Sequence, residues 1–406
     1  MSYTGDNMMD VKRTNRSAVL RILREKGAMS RKRLAETTSL TPAAITKIVA
    51  ELLREGLLRE EGAVASGSAG RREILVALEP GRRCALGVLL NLRQANVSAV
   101  RLDGTVIFSR QFELEARAPA ENTVRMLAET LRALAAEHGL TREEILGLGV
   151  AVRGILSQDG RTLTDSFGAL DEADFPLCDR LEALTGLPVH MANNVRALFA
   201  AQNFFDRDSA PDSQFFLRCE YGIGASLSVN GQIWQGVSRQ CAELGHIPVI
   251  RRGGKSCSCG KCGCLETIAS PAAIREDALA LLSQDGTPLL WRLCQEKAPG
   301  ALTIDDVLSA AQGGDAAVAA IVDRAVIALG SALKAVIYLA DPGRILLYGH
   351  MFDHPYFLSR LLSEMQEGVD ARHSVVIEKS RYNHQLESCA AGLLAVEDFF
   401  LCGGLL

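Results

Sequence analysis

The run CSCGKCGCLE at residues 257–266 sets four cysteines within eight positions. Thiols this dense leave three readings: a redox couple, a metal-binding loop, or thiols that merely lie close together. The rest of the chain argues against disulfides. Seven further cysteines (Cys84, Cys178, Cys219, Cys241, Cys294, Cys389 and Cys402) are scattered, and the total of 11 is odd. The start, MSYTGDNMMDVKRTNR, has no apolar stretch of the secretory type. Both features point to a reducing cytoplasm. At 406 residues, 48% hydrophobic and 23% charged, the chain is long enough for two or three globular domains. Its longest apolar tract, AVIALGSALKAVIYLA at 325–340, is interrupted by Ser331 and Lys334. It reads as a buried core helix, without membrane insertion.

The net charge of −4 conceals a division. Residues 12–47 carry ten Lys/Arg against Glu25 and Glu36 only, so the remainder is strongly acidic. A basic block at one end of an acidic chain points to a polyanionic partner; the alternative is a solvated helical face. Local patterning favours the partner. Val19, Ile22 and Leu23 lie at helical spacing before Gly27, and Ser30 can cap a second helix, RKRLAETT. In SLTPAAITKIVAELLREG, Thr41 is a natural N-cap and Pro42 suits the first helical position. Ile45, Ile48, Val49, Leu52 and Leu53 then give one apolar stripe, ended by Gly56.

Three such helices make a helix-turn-helix, whose last helix brings its N-terminal residues to base edges in the major groove of double-stranded operator DNA. Those residues are Thr41, Ala43, Ala44, Thr46 and Lys47, with Ser30 at the cap of the preceding helix. Small side chains allow close approach, and Lys47 can reach a phosphate or a guanine. Strands at LLREE (57–61) and REILVAL (72–78) flank GAVASGSAGR as a wing, where Arg71 and Arg72 suit phosphate or minor-groove contact. Residues 1–80 therefore form a winged helix-turn-helix domain.

From Cys84 the pattern becomes α/β. CALGVLLNL, ANVSAVRL and TVIFSRQFEL read as strands, the last two joined at Asp103-Gly104. ENTVRMLAETLRALAAEHG reads as a helix and ILGLGVAV as the next strand. PVHMA, FFLRCE, ASLSVNG, RILLYG and SVVIE are later strands, and CAAGLLAVEDFF is a closing helix. No repeat of 20 to 50 residues stands out.

The succession of helix-turn-helix and wing, then GVAVRG, NNVRALFAAQ, GIGA, ELGHIPV and CSCGKCGCLETIAS, resembles the ROK family of repressors, open reading frames and sugar kinases. The resemblance is to its winged-helix regulators, and it covers nearly the whole chain. It implies a two-lobed actin-like ATPase fold over residues 81–406. Lobe one would span about 81–195 plus the C-terminal helix, and lobe two about 196–387. It also implies structural zinc on His246, Cys257, Cys259 and Cys264, leaving Cys262 outside the ligand set. Four thiolates on one divalent ion would leave a local charge of −2, whereas Cys₃His leaves −1 and joins two chain segments. A Cys₄ site through Cys262 and a Cys259/Cys262 redox pair are the alternatives.

The resemblance further implies a sugar pocket at Gly154, Ser166, Asn193, Asn194, Glu243, His246 and Glu266; the alternative is that these groups stabilise loops. Zinc at His246 would leave its second ring nitrogen for a sugar hydroxyl, and a carboxylate such as Glu243 suits vicinal hydroxyls. The kinase motifs of the family are altered. The first phosphate turn reads Leu89-Leu90-Asn91-Leu92-Arg93, without Asp or Gly, and the pair that holds the catalytic Asp reads Asn193-Asn194. The adenosine loop reads Tyr348-Gly349-His350, and only Gly222-Ile223-Gly224 survives as a phosphate loop. An amide cannot serve as a general base. The expected protein is thus a regulator, a repressor with no kinase activity, that senses a sugar or sugar phosphate; the alternative is an active sugar kinase with an attached helix-turn-helix. Arg153, where the family has proline, favours the anionic case. A homodimer or dimer of dimers is expected from paired half-sites, and a transporter component is the alternative effector, as a protein partner.

Overall fold

The computed structural model describes residues 8–65, 72–115, 117–206, 211–297, 299–368, 370 and 372–405. The chain divides into two compact units, Met1–Asp208 with His384–Leu406, and Ser209–Asn383.

The first unit begins with helices α1 (Met8–Lys26), α2 (Arg31–Thr38) and α3 (Pro42–Arg54), and strands β1 (Met29–Ser30), β2 (Leu58–Ala65) and β3 (Arg72–Leu78). Gly27 ends α1 in the left-handed region at φ +74°, its N–H donating to Leu23 O at 3.1 Å. Ser30 caps α2 by accepting from Arg33 N at 3.3 Å, and Thr41 caps α3 by accepting from Ala44 N at 3.3 Å. Ile45, Ile48, Val49 and Leu52 are buried on one face of α3, as the stripe requires. The sequence marks Ser30 only as a cap. The structure also pairs Met29 and Ser30 with Val76 and Leu75, so the wing becomes a three-stranded sheet of order β1-β3-β2. β2 runs past the expected Glu61 to Ala65, with a bulge between Glu60 and Ala63.

Beyond the wing the first unit holds β4 (Cys84–Leu90), β5 (Gln94–Arg101), β6 (Val106–Glu113), α4 (Ala120–Glu137) and β7 (Ile145–Val152). β8 (Ile155–Leu156), β9 (Leu163–Asp165), α5 (Leu177–Thr185), β10 (Val189–Asn193) and α6 (Asn194–Phe205) follow. The second unit contains β11 (Gln214–Cys219), β12 (Ile223–Val229), β13 (Gln232–Ile233), α7 (Glu266–Ala269) and α8 (Pro271–Ala280). It continues with α9 (Pro288–Glu296), α10 (Ile304–Gly313), α11 (Ala316–Ala340), β14 (Arg344–Tyr348), α12 (Pro355–Gln366) and β15 (Val376–Lys379). α13 (Asn383–Leu401) returns the chain to the first unit.

Each unit is built on a five-stranded sheet, and the two sheets share one topology. The orders are β6-β5-β4-β7-β10 and β13-β12-β11-β14-β15. In both, the first two pairings are antiparallel and the last two parallel. This duplication is invisible as a sequence repeat because a sheet fixes strand order and burial period, not residue identity. β4 and β7 are buried along their whole length, the mark of strands covered on both faces. α13 crosses this sheet at glycines: a Cβ at Gly149 would lie 1.7 Å from Ala391 O, and one at Gly87 would lie 2.5 Å from Gly392 N. α6 groups with the first unit, so the second begins at Ser209 and not near residue 196. α11 is long and apolar enough to cross a membrane by length and composition. Val318, Val322, Ala325, Leu329, Leu333 and Ile337 nevertheless face the core of the second unit.

Candidate functional site

The metal loop starts from a short turn, Leu244–His246, that presents His246. The following chain folds back on it. Leu265 N donates to Ile247 O at 3.0 Å and Val249 N to Gly263 O at 2.8 Å. Cys257 N donates to Lys261 O and Gly260 N to Cys257 O, closing a tight turn between the cysteines. Gly263 sits at φ +74°, where a Cβ would lie 2.1 Å from Ile250 O, so only glycine fits there.

This folding brings Nδ1 or Nε2 of His246 and Sγ of Cys257, Cys259 and Cys264 within 4.8 Å of one another. His246 Nδ1 lies 3.5 Å from Cys257 Sγ, and Cys259 Sγ lies 3.6 Å from Cys264 Sγ. A tetrahedral ion with bonds of about 2.3 Å to sulfur and about 2.0 Å to nitrogen needs neighbouring ligands roughly 3.5–3.8 Å apart. The donor set therefore fits a metal ion. Cys262 is exposed and turns to Ser256 Oγ at 3.9 Å, outside the cluster. Burial, reinforced by the Cys259 and Cys257 thiols, pushes the Cys264 thiol up to about 12. A bound cation reverses that cost, because it stabilises the thiolate directly.

The remaining expected pocket residues lie in both units. In the first, a Cβ on Gly154 would stand 2.2 Å from Asp165 O, so this glycine lets strands β8 and β9 begin in close contact. Asn193 caps α6: its Oδ1 accepts from Val195 N at 2.9 Å while its Nδ2 donates to Gly154 O at 3.2 Å. Asn194 is 4% exposed, and its Nδ2 donates to Asn91 Oδ1 at 3.1 Å. Ser166 is buried, and its hydroxyl accepts from Leu170 N at 2.9 Å and donates to Leu170 O at 3.2 Å. That hydroxyl serves its own loop. In the second unit Glu243 is exposed at the head of the His246 turn. Glu266 Oε2 accepts from Ile223 N at 2.9 Å, against Gly222.

Two pairings escape the sequence. Asn91 and Asn194 meet although 103 positions separate them, an amide pair where two carboxylates would repel. Glu220 bonds both the ring and the backbone N–H of His350, at 3.0 and 3.2 Å. This pair edges a cavity of about 240 Å³ whose lining includes Asp305, Thr303 and Cys219.

In the winged helix, Thr41, Ala43, Thr46 and Lys47 are exposed and Ala44 is half-buried at the start of α3. Ser30 is buried and acts as a cap. Arg71 lies outside the described residues, as does the side chain of Arg72. The basic block is smaller as a surface than as a sequence. Arg16 is fully buried, bonded to Gly403 O at 2.7 Å, to Glu51 at 3.3 Å and to Glu55 at 2.9 and 2.5 Å. Arg24 is ion-paired to Glu397 and stacks on Phe204 and Phe400, each ring centroid 4.9 Å away. Lys12 and Arg31 pair with Glu51 and Glu60. Arg13, Arg21, Lys26, Lys32, Arg33 and Lys47 remain outward.

The ROK family pattern matches residues 88–395. The chain belongs to the ROK family. A MarR family pattern matches residues 15–61, the three helices ahead of the ROK body. The chain is 28% identical over 342 residues to the DNA-binding transcriptional dual regulator NagC of Escherichia coli K12, covering 84% of this chain and 81% of NagC. It is 26% identical to the DNA-binding transcriptional repressor Mlc of the same organism, over 98% of this chain and 96% of Mlc. The crystal structure of a ROK family transcriptional regulator, described as a homolog of the E. coli MLC protein, superposes with a TM-score of 0.81. It has 24% identity, covering 97% of this chain and 98% of that one, and it establishes the fold of this ROK protein from winged helix to α13.

Proposed function

We propose that this ROK protein is a sugar-responsive, DNA-binding transcriptional regulator acting as a repressor. The observation that carries the reading is the union, in one chain, of a capped and exposed recognition helix with a complete ROK body. NagC and Mlc are similar to this chain over 81% and 96% of their own lengths. α3 offers Thr41, Ala43, Ala44, Thr46 and Lys47 to the major groove of operator DNA, and Arg71 and Arg72 of the wing reach the backbone or minor groove. A homodimer supplies two such helices for paired half-sites.

The metal is zinc, structural and closed, held by His246, Cys257, Cys259 and Cys264. Its bonding fixes the turn that carries Glu243 and His246 and the segment that ends in Glu266, so these groups are held rigidly for sugar hydroxyls. In the first unit Gly154, Asn193 and Asn194 supply amide and backbone groups of the same kind, with Ser166 supporting their loop.

The ROK body binds its effector without phosphorylating it. Asn194 has no proton-accepting carboxylate and is bonded to Asn91. The Ile223 N–H of the surviving glycine turn is taken by Glu266, and the Glu220 carboxylate beside the late strand repels phosphate. ATP, Mg²⁺ and a panel of hexoses in a coupled assay should give no saturable turnover. A mobility shift on DNA upstream of the protein's own gene tests the main reading, repeated with a sugar library. Lys47→Ala should weaken the shift and lower the slope of log affinity against log salt by about 1. Absence of any shift on that DNA, with or without sugar, would overturn the reading.

A further inference from the structure

We propose that the effector is an anionic sugar, whose phosphate or carboxylate group is held by Arg153 beside Gly154 and Asn193. This rests on the effector reading above and names the class of ligand. Arg153 directly follows β7, its N–H donating to Leu90 O at 3.0 Å, and the residue is half-buried. Its guanidinium carbon lies 5.9 Å from the Phe167 ring centroid. No ion pair joins it to a carboxylate among the described residues. Asp165, an acidic group of the same loop, accepts from Phe167 N through its Oδ1 at 2.7 Å.

The loop is built to hold that ring in place. Phe167 adopts φ +49°, a left-handed conformation costly for an aromatic residue, and the Asp165 bond maintains it. Arg117, itself at φ +56°, donates its backbone N–H to Gly168 O at 2.9 Å, and Leu92 comes within 3.9 Å of a Cβ placed on Gly168. Arg93 and Arg117 are exposed, and neither is ion-paired among the described residues. Arg153 thus stands over the Phe167 ring, next to Gly154, whose carbonyl accepts from the uncharged Asn193 amide. A half-buried arginine without a counter-ion among the described residues is stabilised by an anion, and its fork matches phosphate and carboxylate oxygens. A neutral sugar would leave it unpaired.

Isothermal titration of the full chain tests this with glucose, mannose, galactose and N-acetylglucosamine, their 6-phosphates, and glucuronate and galacturonate. The expected result is that one anionic sugar binds at least about ten-fold tighter than its neutral parent, with a preference that shrinks as salt is raised. R153M should remove that preference, roughly ten- to a hundred-fold, while R153K keeps part of it. Phosphates and uronates report separately which oxyanion is recognised. Neutral sugars binding as tightly as anionic ones, or R153M leaving the preference intact, would overturn the proposal and leave the effector reading standing. Inorganic phosphate binding as tightly as any sugar phosphate would also overturn it. Binding of none of these compounds would remove the effector reading itself.

Discussion

Replacing Arg16 with methionine tests how the winged helix is fixed to the end of the chain. The guanidinium is fully buried and holds three partners from distant segments: Glu51 and Glu55 on α3, and the carbonyl of Gly403 just beyond α13. Methionine keeps much of the apolar stem and deletes the charge. Glu55 is 39% exposed and Glu51 retains Lys12 at 2.9 Å, so water and Lys12 recover most of those two interactions. Their loss costs about 1 kcal/mol together. The Gly403 carbonyl is buried and loses its donor, which costs about 2 kcal/mol. The sum, about 3 kcal/mol, sits at the lower edge of what breaking a buried ion pair costs. For a unit of this size it lowers Tm by roughly 6–12 °C in scanning calorimetry. A cycle of R16M with E55Q should show coupling of about 1 kcal/mol. Because α1 and α3 are both held by this residue, R16M should also weaken operator binding at temperatures where the chain stays folded. A Tm within about 2 °C of the parent would refute the reasoning, since the buried Gly403 carbonyl could then not have lost its donor.

Three further outcomes follow from the geometry. Cys264→Ser should remove bound metal, measured by elemental mass spectrometry, while Cys262→Ser should retain it; the reverse would mean that the fourth thiol is the ligand. Gly149→Ala should destabilise by about 3 kcal/mol or more, seen in urea unfolding, because the new methyl would lie 1.7 Å from Ala391 O. The Lys12 hydrogen bond, ahead of opposing burial and of the Lys12 and Arg16 charges, holds the Glu51 carboxyl below its ordinary 4.5. Its contribution is therefore fully present above that value and is lost as pH falls through the depressed one. The stability gap between wild type and Glu51→Gln should narrow as pH falls below 4.5 and close once pH has passed through the depressed value.

Short-range chemistry settled much of this protein in advance. Thr41, Pro42 and the Ile45–Leu52 stripe specify α3, because cap, first-turn proline and apolar period are all local. Alternating strands ahead of helices specify the α/β body, and the spacing of Cys257, Cys259 and Cys264 specifies a turn that one ion can close. Tertiary structure decided what depends on distant segments meeting. Arg16 and Arg24 read as part of a DNA-facing basic block, yet the fold takes both into the join with α13, since charge in a sequence carries no direction. Asn91 with Asn194 and Glu220 with His350 are brought together by parallel strands and crossover loops, and Arg153 with Phe167 by the antiparallel β8-β9 pair. The residues that pair across such crossovers have no fixed spacing, so only the folded chain reveals them. The two matching sheets are the largest case: strand order arises from backbone pairing, and backbone pairing leaves almost no mark on residue identity.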